Sequence, residues 1–490
     1  MRLMSIDLPQ AVPNERCLRC DVCCRFPEKE SPLRPYFTEA EIARAVAHGV
    51  PAAAFPDVSG GRITLIPHPQ GEGYICPAFD AGTNGCTIYE VRPLDCRLYP
   101  FAVMRPPRGE GVLLGWDRLC PYLREEAEPM APVMLSADVA ARLQEADQRG
   151  ILVNHPGLIG GFQEMVWVLE PLEPTWRAAA PVTPEPGTRL EPVDVAAEGA
   201  WERLVSFLAR SVDPDLSARH AATLMMWRPL MTFHWMTLKR GLALLAEQGG
   251  VYFAPVPPAA DSAADFVGAC VELLRHLEAL NRRAAPSRIE RLGEAQCRPL
   301  EAAGLRCRAQ GEEYLYDRRA LAELRGDDYK SQRWNCNQAE RRFRPSYKPY
   351  RPEDATGCLR LFAAWRRLKE PAPWADSYPA ALLADSFYAH WQALTHAQAW
   401  GLTVRVVRVE GAIAAYAVGA PLSDDAMVVL HEVADPRRPG LGPWLFREWC
   451  REFTDYSVIN AMDDSDLKAL RAAKTRYRPM RMVTMYQATM

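Results

Sequence analysis

The sequence predicts an α+β protein, in which a small cysteine-rich metal-binding domain precedes a larger mixed α/β region. Three observations support this fold class. Eight of the fourteen cysteines lie before residue 121, residues 181–192 are rich in proline, and strand and helix signals alternate from about residue 193 onward. We therefore predict a metal-binding domain over residues 1–175 and an extended linker over residues 176–192.

The composition narrows the classes of protein that this chain can represent. Its 490 residues are 48% hydrophobic, which rules out wholesale disorder, and the net charge of −3 argues against a general nucleic-acid coat protein. The most apolar run, Leu224–Leu238, is broken by Arg228 and His234, so we expect no integral membrane segment. Residues 1–15 lack the basic end and apolar block of a secretory signal. We expect a cytoplasmic protein that does not bind DNA.

The N-terminal cysteines have a spacing typical of metal sites. Within residues 17–24 they follow the pattern C-x2-C-x2-C-C, so that three thiols recur at intervals of three residues and can be directed at one centre. Disulfides would require an oxidising compartment, whereas thiolates suit zinc and iron–sulfur clusters, between which the spacing does not choose. The predicted metal ligands are Cys17, Cys20, Cys23, Cys24, Cys76, Cys86, Cys96 and Cys120.

Two separated motifs in this domain resemble one family. Cys17–Cys24 is similar to the signature of small bacterial cysteine-cluster proteins described as zinc- or iron-chelating, and Cys86–Phe101 resembles their second signature. The resemblance covers about residues 15–125 and implies a bound metal without implying a reaction. Arg92 and Arg97 are candidates for hydrogen bonds to the thiolates, with ordinary surface arginines as the alternative.

Weaker signals complete the first domain. Val139, Leu143 and Ala146 have helical spacing, and Met165–Leu169 is a β-rich run. We predict one helix and one strand at these positions.

The last part of the chain carries the clearest secondary-structure pattern. Short β-rich runs separated by turns predict an antiparallel meander, followed by helices that alternate with strands. The predicted elements are strands over 402–409, 412–419 and 427–433, a helix over 443–453, a strand over 456–459, a helix over 464–476 and a strand over 480–486.

This order of elements resembles the second half of the GCN5-related (GNAT-like) acyltransferase fold. Arg437, Gly440 and Gly442 lie between the third strand and the helix, where that fold carries its pyrophosphate loop. Glycines let the backbone approach a phosphate, and the following helix offers free N–H groups and the positive end of its dipole. These three residues are candidate donor-binding residues, with a plain turn as the alternative.

A second resemblance covers about residues 195–490. Tyr314–Asp317, Leu324–Gly326 and the tail from Asn460 to Pro479 are similar to signatures of the C-terminal domain of phosphatidylglycerol lysyltransferases. Members of this family joined to a membrane flippase domain move an aminoacyl group from tRNA to a lipid. The donor-binding residues that the resemblance implies are Arg333, Asn337, Asn460, Asp464, Arg471 and Lys474.

The same resemblance implies two GNAT-like lobes in tandem. A degenerate first lobe would span residues 193–325, and the acyltransferase lobe would span residues 326–490. The chain departs from the family pattern at two places. The Lys-Arg-Asn core of the family reads Gln332-Arg333-Trp334 here, and Asp466 stands about where a glycine usually follows the acidic residue of the tail.

Acyl transfer requires a base for the nucleophile, a stabilised oxyanion and an acid for the departing group. Glu432 is the predicted base and Asp435 the second candidate, although acids at a strand end often only face solvent. Tyr477 or Tyr456 is the predicted acid, with a packing role as the alternative. His431, beside Glu432, is predicted to be structural.

Two segments concentrate positive charge. Eight Lys or Arg and three acids lie between Arg325 and Arg351, with aromatic residues among them, and Lys468–Arg481 adds six basic residues and no acid. If these segments face each other, they form a surface for coenzyme A phosphates, a tRNA backbone or an acidic carrier. A solvated helix face is the alternative.

Three classes of function follow from the sequence. The first is an acyl- or aminoacyltransferase that uses an acyl-CoA or aminoacyl-tRNA donor and a small-molecule or carrier acceptor, with an accessory zinc or iron–sulfur module. The second is a metal or redox protein in which the cysteine cluster acts and the GNAT-like half only binds a ligand. The third is a non-catalytic adaptor with a structural metal.

Overall fold

The chain divides into two compact units. A computed structural model describes residues 11–490 except 108–110, 123–130, 146–150, 153, 162, 164–165, 173–189, 196, 249, 282–286 and 370–377. One unit comprises Met1–Ala179 with Arg366–Ala384, and the other comprises Ala180–Trp365 with Asp385–Met490. Residues 176–189 of the predicted linker lie outside the described residues. Within the ranges that are described, no helix is long and apolar enough to cross a membrane.

Short elements surround the cysteine motifs in the first unit. They are helices α1 (Asn14–Cys17), α2 (Glu39–Ala47) and α3 (Leu94–Leu98), and strands β1 (Arg25–Phe26), β2 (Tyr36–Thr38), β3 (Gly60–Arg62), β4 (Ile66–Pro67), β5 (Tyr74–Ile75), β6 (Phe79–Asp80) and β7 (Gly85–Cys86). Helix α2 begins with a capping box, because the Thr38 backbone N–H donates to Glu41 Oε2 at 2.8 Å. The other oxygen of Glu41 accepts the backbone N–H of Leu94 at 2.7 Å and thereby joins α2 to α3.

A three-stranded antiparallel sheet follows in this unit. Its strands are β8 (Phe101–Met104), β9 (Val112–Asp117) and β10 (Val166–Leu172), with β9 in the centre, and helix α4 (Ala131–Gln144) packs on it. Helix α4 covers most of the predicted helix, and β10 covers the predicted strand from residue 166 onward.

The second unit begins with a four-stranded antiparallel sheet. Its strands, in spatial order, are β11 (Leu190–Pro192), β12 (Thr232–Leu238), β13 (Gly241–Gln248) and β14 (Val251–Phe253). The helices of this part are α5 (Ala200–Ser211), α6 (Ala222–Met225), α7 (Ala263–Leu280) and α8 (Glu294–Ala302). Strand β11 occupies residues that the sequence had placed at the end of the linker.

An eight-stranded sheet forms the rest of this unit. Its strands are β15 (Ile289–Leu292), β16 (Arg306–Asp317), β17 (Ser346–Pro349), β18 (Thr403–Val409), β19 (Ala412–Pro421), β20 (Ala426–Ala434), β21 (Val458–Asn460) and β22 (Arg481–Thr489), in the spatial order β15-β22-β16-β21-β20-β19-β18-β17. The helices are α9 (Arg318–Glu323), α10 (Lys330–Phe343), α11 (Ala355–Lys369), α12 (Tyr378–Thr395), α13 (Leu441–Glu452) and α14 (Lys468–Thr475). The end of α11 and the start of α12 belong to the first unit, which includes Arg366–Ala384. The mixed α/β fold class and the predicted antiparallel meander of β18, β19 and β20 are confirmed.

The sheet extends across the predicted boundary at residue 325/326. Strand β16 lies before that boundary, yet it pairs with β22 from Arg306 to Leu315 and with β21 from Leu315 to Asp317. The two lobes therefore share one sheet, and the boundary between them stays a prediction.

The pairing of β20 and β21 positions the candidate site. These two strands run parallel and pair only from Ala426 to Val428 of β20, because β21 ends at Asn460. Strand β20 continues to Ala434 without this neighbour. The last residues of β20 therefore border a gap in the sheet, next to the start of helix α13.

Candidate functional site

Glu432 lies on β20 four residues beyond the last residue that pairs with β21. Its side chain is exposed to solvent, yet surrounding protein atoms raise the pKa of its carboxyl to about 7 by desolvation, while the Lys474 charge lowers the same pKa. A Cβ atom built on Gly442 would lie 3.4 Å from Glu432 Oε1, so the carboxylate adjoins the first turn of helix α13. The structure thus brings the predicted base and the predicted donor loop together.

Tyr477 is the second member of this site. Its ring packs edge-on against Phe446 at 5.2 Å between centroids and against Tyr316 at 6.4 Å. Burial raises the pKa of the Tyr477 hydroxyl well above its ordinary value, and the Glu432 charge raises it further. The phenol therefore stays protonated beside the carboxylate, as an acid requires.

Tyr456 lies elsewhere. Its neighbour Ser457 donates its hydroxyl to Asp425 Oδ2 at 2.6 Å, at the start of β20. Glu432 is near the other end of this strand, roughly 20 Å away at about 3.3 Å per residue. The structure does not bring Tyr456 and Glu432 together.

Asp435 is held by two arginines. Arg437 donates from Nε and Nη2 to the two carboxylate oxygens, each at 2.9 Å, and Arg438 makes a further ion pair with Oδ2. Although burial alone would raise it, the pKa of Asp435 is lowered, because the hydrogen bonds and charge of Arg437 favour the carboxylate. Asp435 therefore orders the loop after β20 and is a weaker base than Glu432. The Arg437 side chain is still 56% exposed, which leaves it accessible to a ligand.

Gly440 has a packing role in this structure. Its φ is +86°, and a Cβ at this position would overlap the backbone carbonyl of Asn335 on helix α10. The glycine therefore lets the loop approach α10 closely. Contact of Gly440 with a phosphate stays a prediction.

Asn460 is fully buried and bonded to the protein. Its Nδ2 donates to Glu313 Oε2 at 2.6 Å and to the backbone carbonyl of Asp215 at 2.8 Å, and its Oδ1 accepts the N–H of Met462 at 2.7 Å. Glu313 also accepts the hydroxyl of Ser217 at 2.6 Å. These bonds make Asn460 a positioning residue, and its predicted donor contact stays a prediction.

Asp464 and Arg471 form the next part of the tail. Arg471 Nε donates to Asp464 Oδ2 at 2.7 Å, and the hydroxyl of Tyr314 donates to the same oxygen at 2.6 Å. The hydrogen bond from Arg471 is the main reason that the pKa of Asp464 is lowered. Arg471 remains exposed, whereas Asp464 is buried.

Lys474 connects the tail to Glu432. Its Nζ donates to the backbone carbonyls of Ala461, Met462 and Asp463 and so holds the loop that follows β21. Burial lowers the pKa of Lys474 to about 8, and the charges of nearby acids, including Glu432, raise it again. The Lys474 charge therefore acts electrostatically on the predicted base as well as on acids of the tail.

Helix α10 adjoins the same region. Gln332 Nε2 donates to the Arg476 carbonyl at 2.6 Å, so the two basic segments of the sequence meet at this point. Arg333 donates to the carbonyls of Leu324 and Gly326 and orders the turn after α9. Asn337 is exposed on α10.

Sequence reasoning did not identify Glu313 or Ser217 as site residues. Glu313 directly precedes the Tyr314–Asp317 motif and is 1% exposed. Burial raises its pKa, while bonds from Ser217 and Asn460 lower it. The only sign of Glu313 in the sequence is an acidic residue directly before an apolar run of β16. Its partners Ser217 and Asn460 lie 96 and 147 residues away in sequence, so the sequence near Glu313 does not indicate them.

The eight N-terminal cysteines lie in one region of the first unit. The charge of Cys23 raises the pKa of six other thiols, those of Cys17, Cys20, Cys24, Cys76, Cys86 and Cys96. Cys120 is related to these thiols because it acts on the same tyrosine. Burial is the main reason that the pKa of Tyr99 is raised, and the charges of Cys120, Cys23 and Cys20 raise it further.

The thiols differ in acidity. A hydrogen bond with the Cys24 thiol lowers the pKa of Cys23, and the Arg92 charge lowers it further, whereas burial raises the pKa of Cys76 to about 12. Arg92 also lies 3.7 Å above the Tyr89 ring. Arg92 Nη1 donates to the Tyr89 carbonyl at 3.0 Å, and its hydrogen bond to a thiolate stays a prediction. For Arg97, contact with a thiolate stays a prediction.

The donor chemistry fits a thiophilic metal. A set of thiols gathered around Cys23 suits zinc or an iron–sulfur cluster and does not suit a hard cation. Among the described residues, no three Cys, His, Asp or Glu side chains are arranged so that they could hold a metal ion. The residue types therefore fit the metal, while the ligand set stays a prediction.

Two family models match the chain. The model described as phosphatidylglycerol lysyltransferase, C-terminal, matches residues 198–489. The model of the zinc- or iron-chelating CxxCxxCC domain matches residues 16–124. A comparison with curated proteins finds no match. Both resemblances read from the sequence are confirmed.

Solved structures are similar to this chain. A conserved protein of unknown function from Bacteroides thetaiotaomicron is 21% identical, with a TM-score of 0.53, and the match covers 62% of this chain and 100% of that chain. L-PGS from Bacillus licheniformis is 16% identical, with a TM-score of 0.44, and the match covers 61% of this chain and 92% of that chain. The first similarity shows a common fold.

Proposed function

Because the chain belongs to the family of the phosphatidylglycerol lysyltransferase C-terminal domain, we propose that it transfers an aminoacyl group from aminoacyl-tRNA to a small-molecule or carrier acceptor. An acyl-CoA is the second donor class. The observation that carries the proposal is the Glu432 carboxyl, whose pKa of about 7 suits a base at neutral pH.

The chemistry follows from the groups around Glu432. The acceptor amine or hydroxyl loses its proton to Glu432 and attacks the ester carbonyl of the donor. The bond between the acyl carbon and the tRNA ribose oxygen breaks, and Tyr477 returns a proton to that oxygen. The carboxyl of Glu432 then restores the proton of Tyr477 directly or through water, so the two residues end as they began. The backbone N–H groups at the start of α13, which adjoins Glu432, are suited to binding an anionic group of the donor.

The surface of helix α10 supports a nucleic-acid donor. Trp334 is 62% exposed, which is unusual for a tryptophan. Arg341 and Arg342 are exposed on the same helix, and Lys348 is exposed on β17. In the described part of the chain, these three cations have no ion-pair partner within 4.0 Å. Exposed cations and an exposed aromatic ring in the same segment of the chain suit contact with phosphates and an unstacked base.

We also propose that the cysteine cluster holds zinc or an iron–sulfur cluster in an accessory role. A bound metal would cross-link the short elements of the first unit, which bury few residues each. Cys23 and the thiols around it would supply the ligands. Elemental analysis and the absorption spectrum of anaerobically purified protein distinguish the two metals, because an iron–sulfur protein is coloured.

The transfer reaction can be tested directly. Purified full-length protein is incubated with tRNA charged with a radiolabelled amino acid and with pools of amines, hydroxylated metabolites and phosphatidylglycerol vesicles. A second series uses radiolabelled acyl-CoA. Transfer of label from the aminoacyl-tRNA, lost in Glu432→Gln and retained in Glu353→Gln, supports the proposal. Glu353 is a suitable control because it is an exposed acid on a short turn before α11.

The outcomes separate the classes of function. Transfer of label only from acyl-CoA would show that the donor is an acyl-CoA and not an aminoacyl-tRNA. No transfer from either donor, together with a redox-active cluster, favours the metal or redox protein. Equal activity of Glu432→Gln and the wild type would remove Glu432 as the base.

A further inference from the structure

We propose that the first lobe contains its own binding site for a small phosphate ester. A cavity of about 530 Å³ opens between helix α5, the turn between β12 and β13, and the segment that leads into α7. This volume lies within the range of small-molecule sites. The site is separate from Glu432, Tyr477 and the donor loop, and no residue of the proposed active site lines it.

Cationic side chains outnumber acidic ones in the cavity wall. Four cationic side chains and two acidic ones line it: Arg203, Arg210, Lys239, Arg240, Asp261 and Asp265. Two further carboxylates lie beside these cations, because Glu191 pairs with Arg203 at 2.7 Å and Glu272 accepts the backbone N–H of Lys239 at 3.1 Å. The charge that an anion could use is therefore that of Lys239 and Arg240. Phosphate monoesters carry about two negative charges at neutral pH, and arginine and lysine are the usual residues that bind them.

The ion pairs in the wall leave cations available. Arg210 pairs with Asp261 at 2.5 Å, whereas Arg240 and Asp265 are 3.7 Å apart, at the outer limit of an ion pair. Among the described residues, the Lys239 ammonium has no ion-pair partner within 4.0 Å. Lys239 and Arg240 therefore provide the charge that a ligand would meet first.

Packing holds Arg240 at the cavity. A Cβ built on Gly268 of helix α7 would lie 2.8 Å from Arg240 Cδ, so the stem of the arginine crosses the helix at this glycine. Leu242 and Ala259 exchange backbone hydrogen bonds of 3.0 and 2.9 Å, which fix the turn against the loop before α7. The cations are thus presented from ordered backbone, as a selective site requires.

The wall also has an apolar part. Phe207 of α5 is 4% exposed and lines the cavity beside Leu242 and Ala260. These side chains would contact the organic group of an ester, which inorganic phosphate lacks. The size of the cavity and its apolar wall favour a small ester over a nucleic-acid backbone.

The topology places this cavity at a position equivalent to the donor loop of the second lobe. In the first lobe, β12, β13 and β14 precede helix α7, and in the second lobe β18, β19 and β20 precede helix α13. In both, the segment before the helix bonds to the middle strand: Ala259 to Leu242 in the first lobe, and Asp435 to Ala414 in the second. The lobe predicted to be degenerate thus has the proposed anion-binding pocket where its counterpart has the predicted donor loop.

Isothermal titration of the full-length chain with phenyl phosphate tests the proposal, with inorganic phosphate and phenol as partial probes. We expect saturable binding of phenyl phosphate that is tighter than that of either partial probe. Lys239→Ala and Arg240→Ala should each weaken it about tenfold, since each removes a charge-assisted bond. The control Arg298→Ala removes an exposed cation that pairs with Glu294 on α8 outside the cavity, and it should bind like the wild type.

A second variant keeps the proposal falsifiable if removing a cation alters the lobe. Ala260→Trp fills the cavity without changing its charge and should abolish binding while the circular dichroism spectrum is retained. The proposal is overturned if phenyl phosphate does not bind, if Arg298→Ala weakens binding as much as Lys239→Ala, or if folded Ala260→Trp binds normally. Because the readout is binding in the first lobe, it is independent of whether aminoacyl transfer occurs.

Discussion

Gly440 and Gly411 form a matched pair that tests the packing of the donor loop. Both glycines have left-handed backbone, with φ of +86° and +83°. A Cβ on Gly411 would meet nothing within 4 Å, whereas a Cβ on Gly440 would overlap the carbonyl oxygen of Asn335 and lie 3.0 Å from its carbon. Replacing either glycine by alanine therefore causes the same backbone strain, and only the substitution at Gly440 adds a steric clash.

The expected energies follow from this difference. Left-handed backbone costs an alanine about 1–2 kcal/mol, and insertion of a methyl group into a packed site costs about 1–3 kcal/mol more. Gly411→Ala should lower the free energy of unfolding by about 1–2 kcal/mol, and Gly440→Ala by about 2–5 kcal/mol. The effect of alanine on the unfolded chain is common to both variants and cancels in the comparison.

Urea unfolding followed by tryptophan fluorescence measures the free energy of unfolding of both variants. The comparison uses the same dependence of that free energy on urea concentration for both variants. Trp444 and Trp449 on helix α13 report on the relevant packing. Equal losses in the two variants would refute the close approach of the loop to α10. Because Gly440→Val would clash even more, loss of ligand binding in that variant would not by itself identify a phosphate loop.

Three further outcomes are expected. The wild-type transfer rate should rise with pH around 7, because Glu432 must lose its proton to act as a base, and rate–pH profiles of Glu432→Gln should lack this rise. Asp464→Asn should lower the free energy of unfolding at neutral pH by about 1–3 kcal/mol. The pKa of Asp464 is lowered in the folded state, so the wild type loses the stabilisation from this carboxylate as the pH falls through that pKa. The difference in free energy of unfolding between the wild type and Asp464→Asn should therefore disappear at low pH. Cys96→Ala should reduce the metal content measured by elemental analysis, and the buried control Cys358→Ala should not; equal contents would exclude Cys96 as a ligand.

The local elements of the second lobe could be predicted from the sequence. Strands β18 to β20 are β-rich runs separated by turn residues such as Glu410–Gly411, and helix α13 is amphipathic with a glycine before it. Such signals depend on neighbours within a few residues. The juxtaposition of Glu432 and Gly442 was also predictable, because both follow from one strand, one loop and one helix.

Contacts between distant segments could not be predicted in this way. The bond from Asn460 to Glu313 joins residues of two strands, and the register between those strands is set by the whole sheet. Nothing in the sequence near Gly440 indicates that the Asn335 carbonyl fills the space of its missing side chain. The meeting of the two basic segments likewise depends on contacts between residues far apart in sequence, such as the bond from Gln332 to the Arg476 carbonyl and the ion pair between Arg478 and Asp328.

The position of β16 has a consequence for synthesis on the ribosome. Both neighbours of this strand, β21 and β22, come from residues after 457, about 140 residues beyond Asp317. At about 5–20 residues per second, β16 waits roughly 7–28 s for its partners. The part of β16 before Glu313 carries exposed polar side chains, including Arg308 and Glu312. Charges of this kind oppose pairing with foreign strands, so they guard the nascent chain against aggregation until the sheet can close.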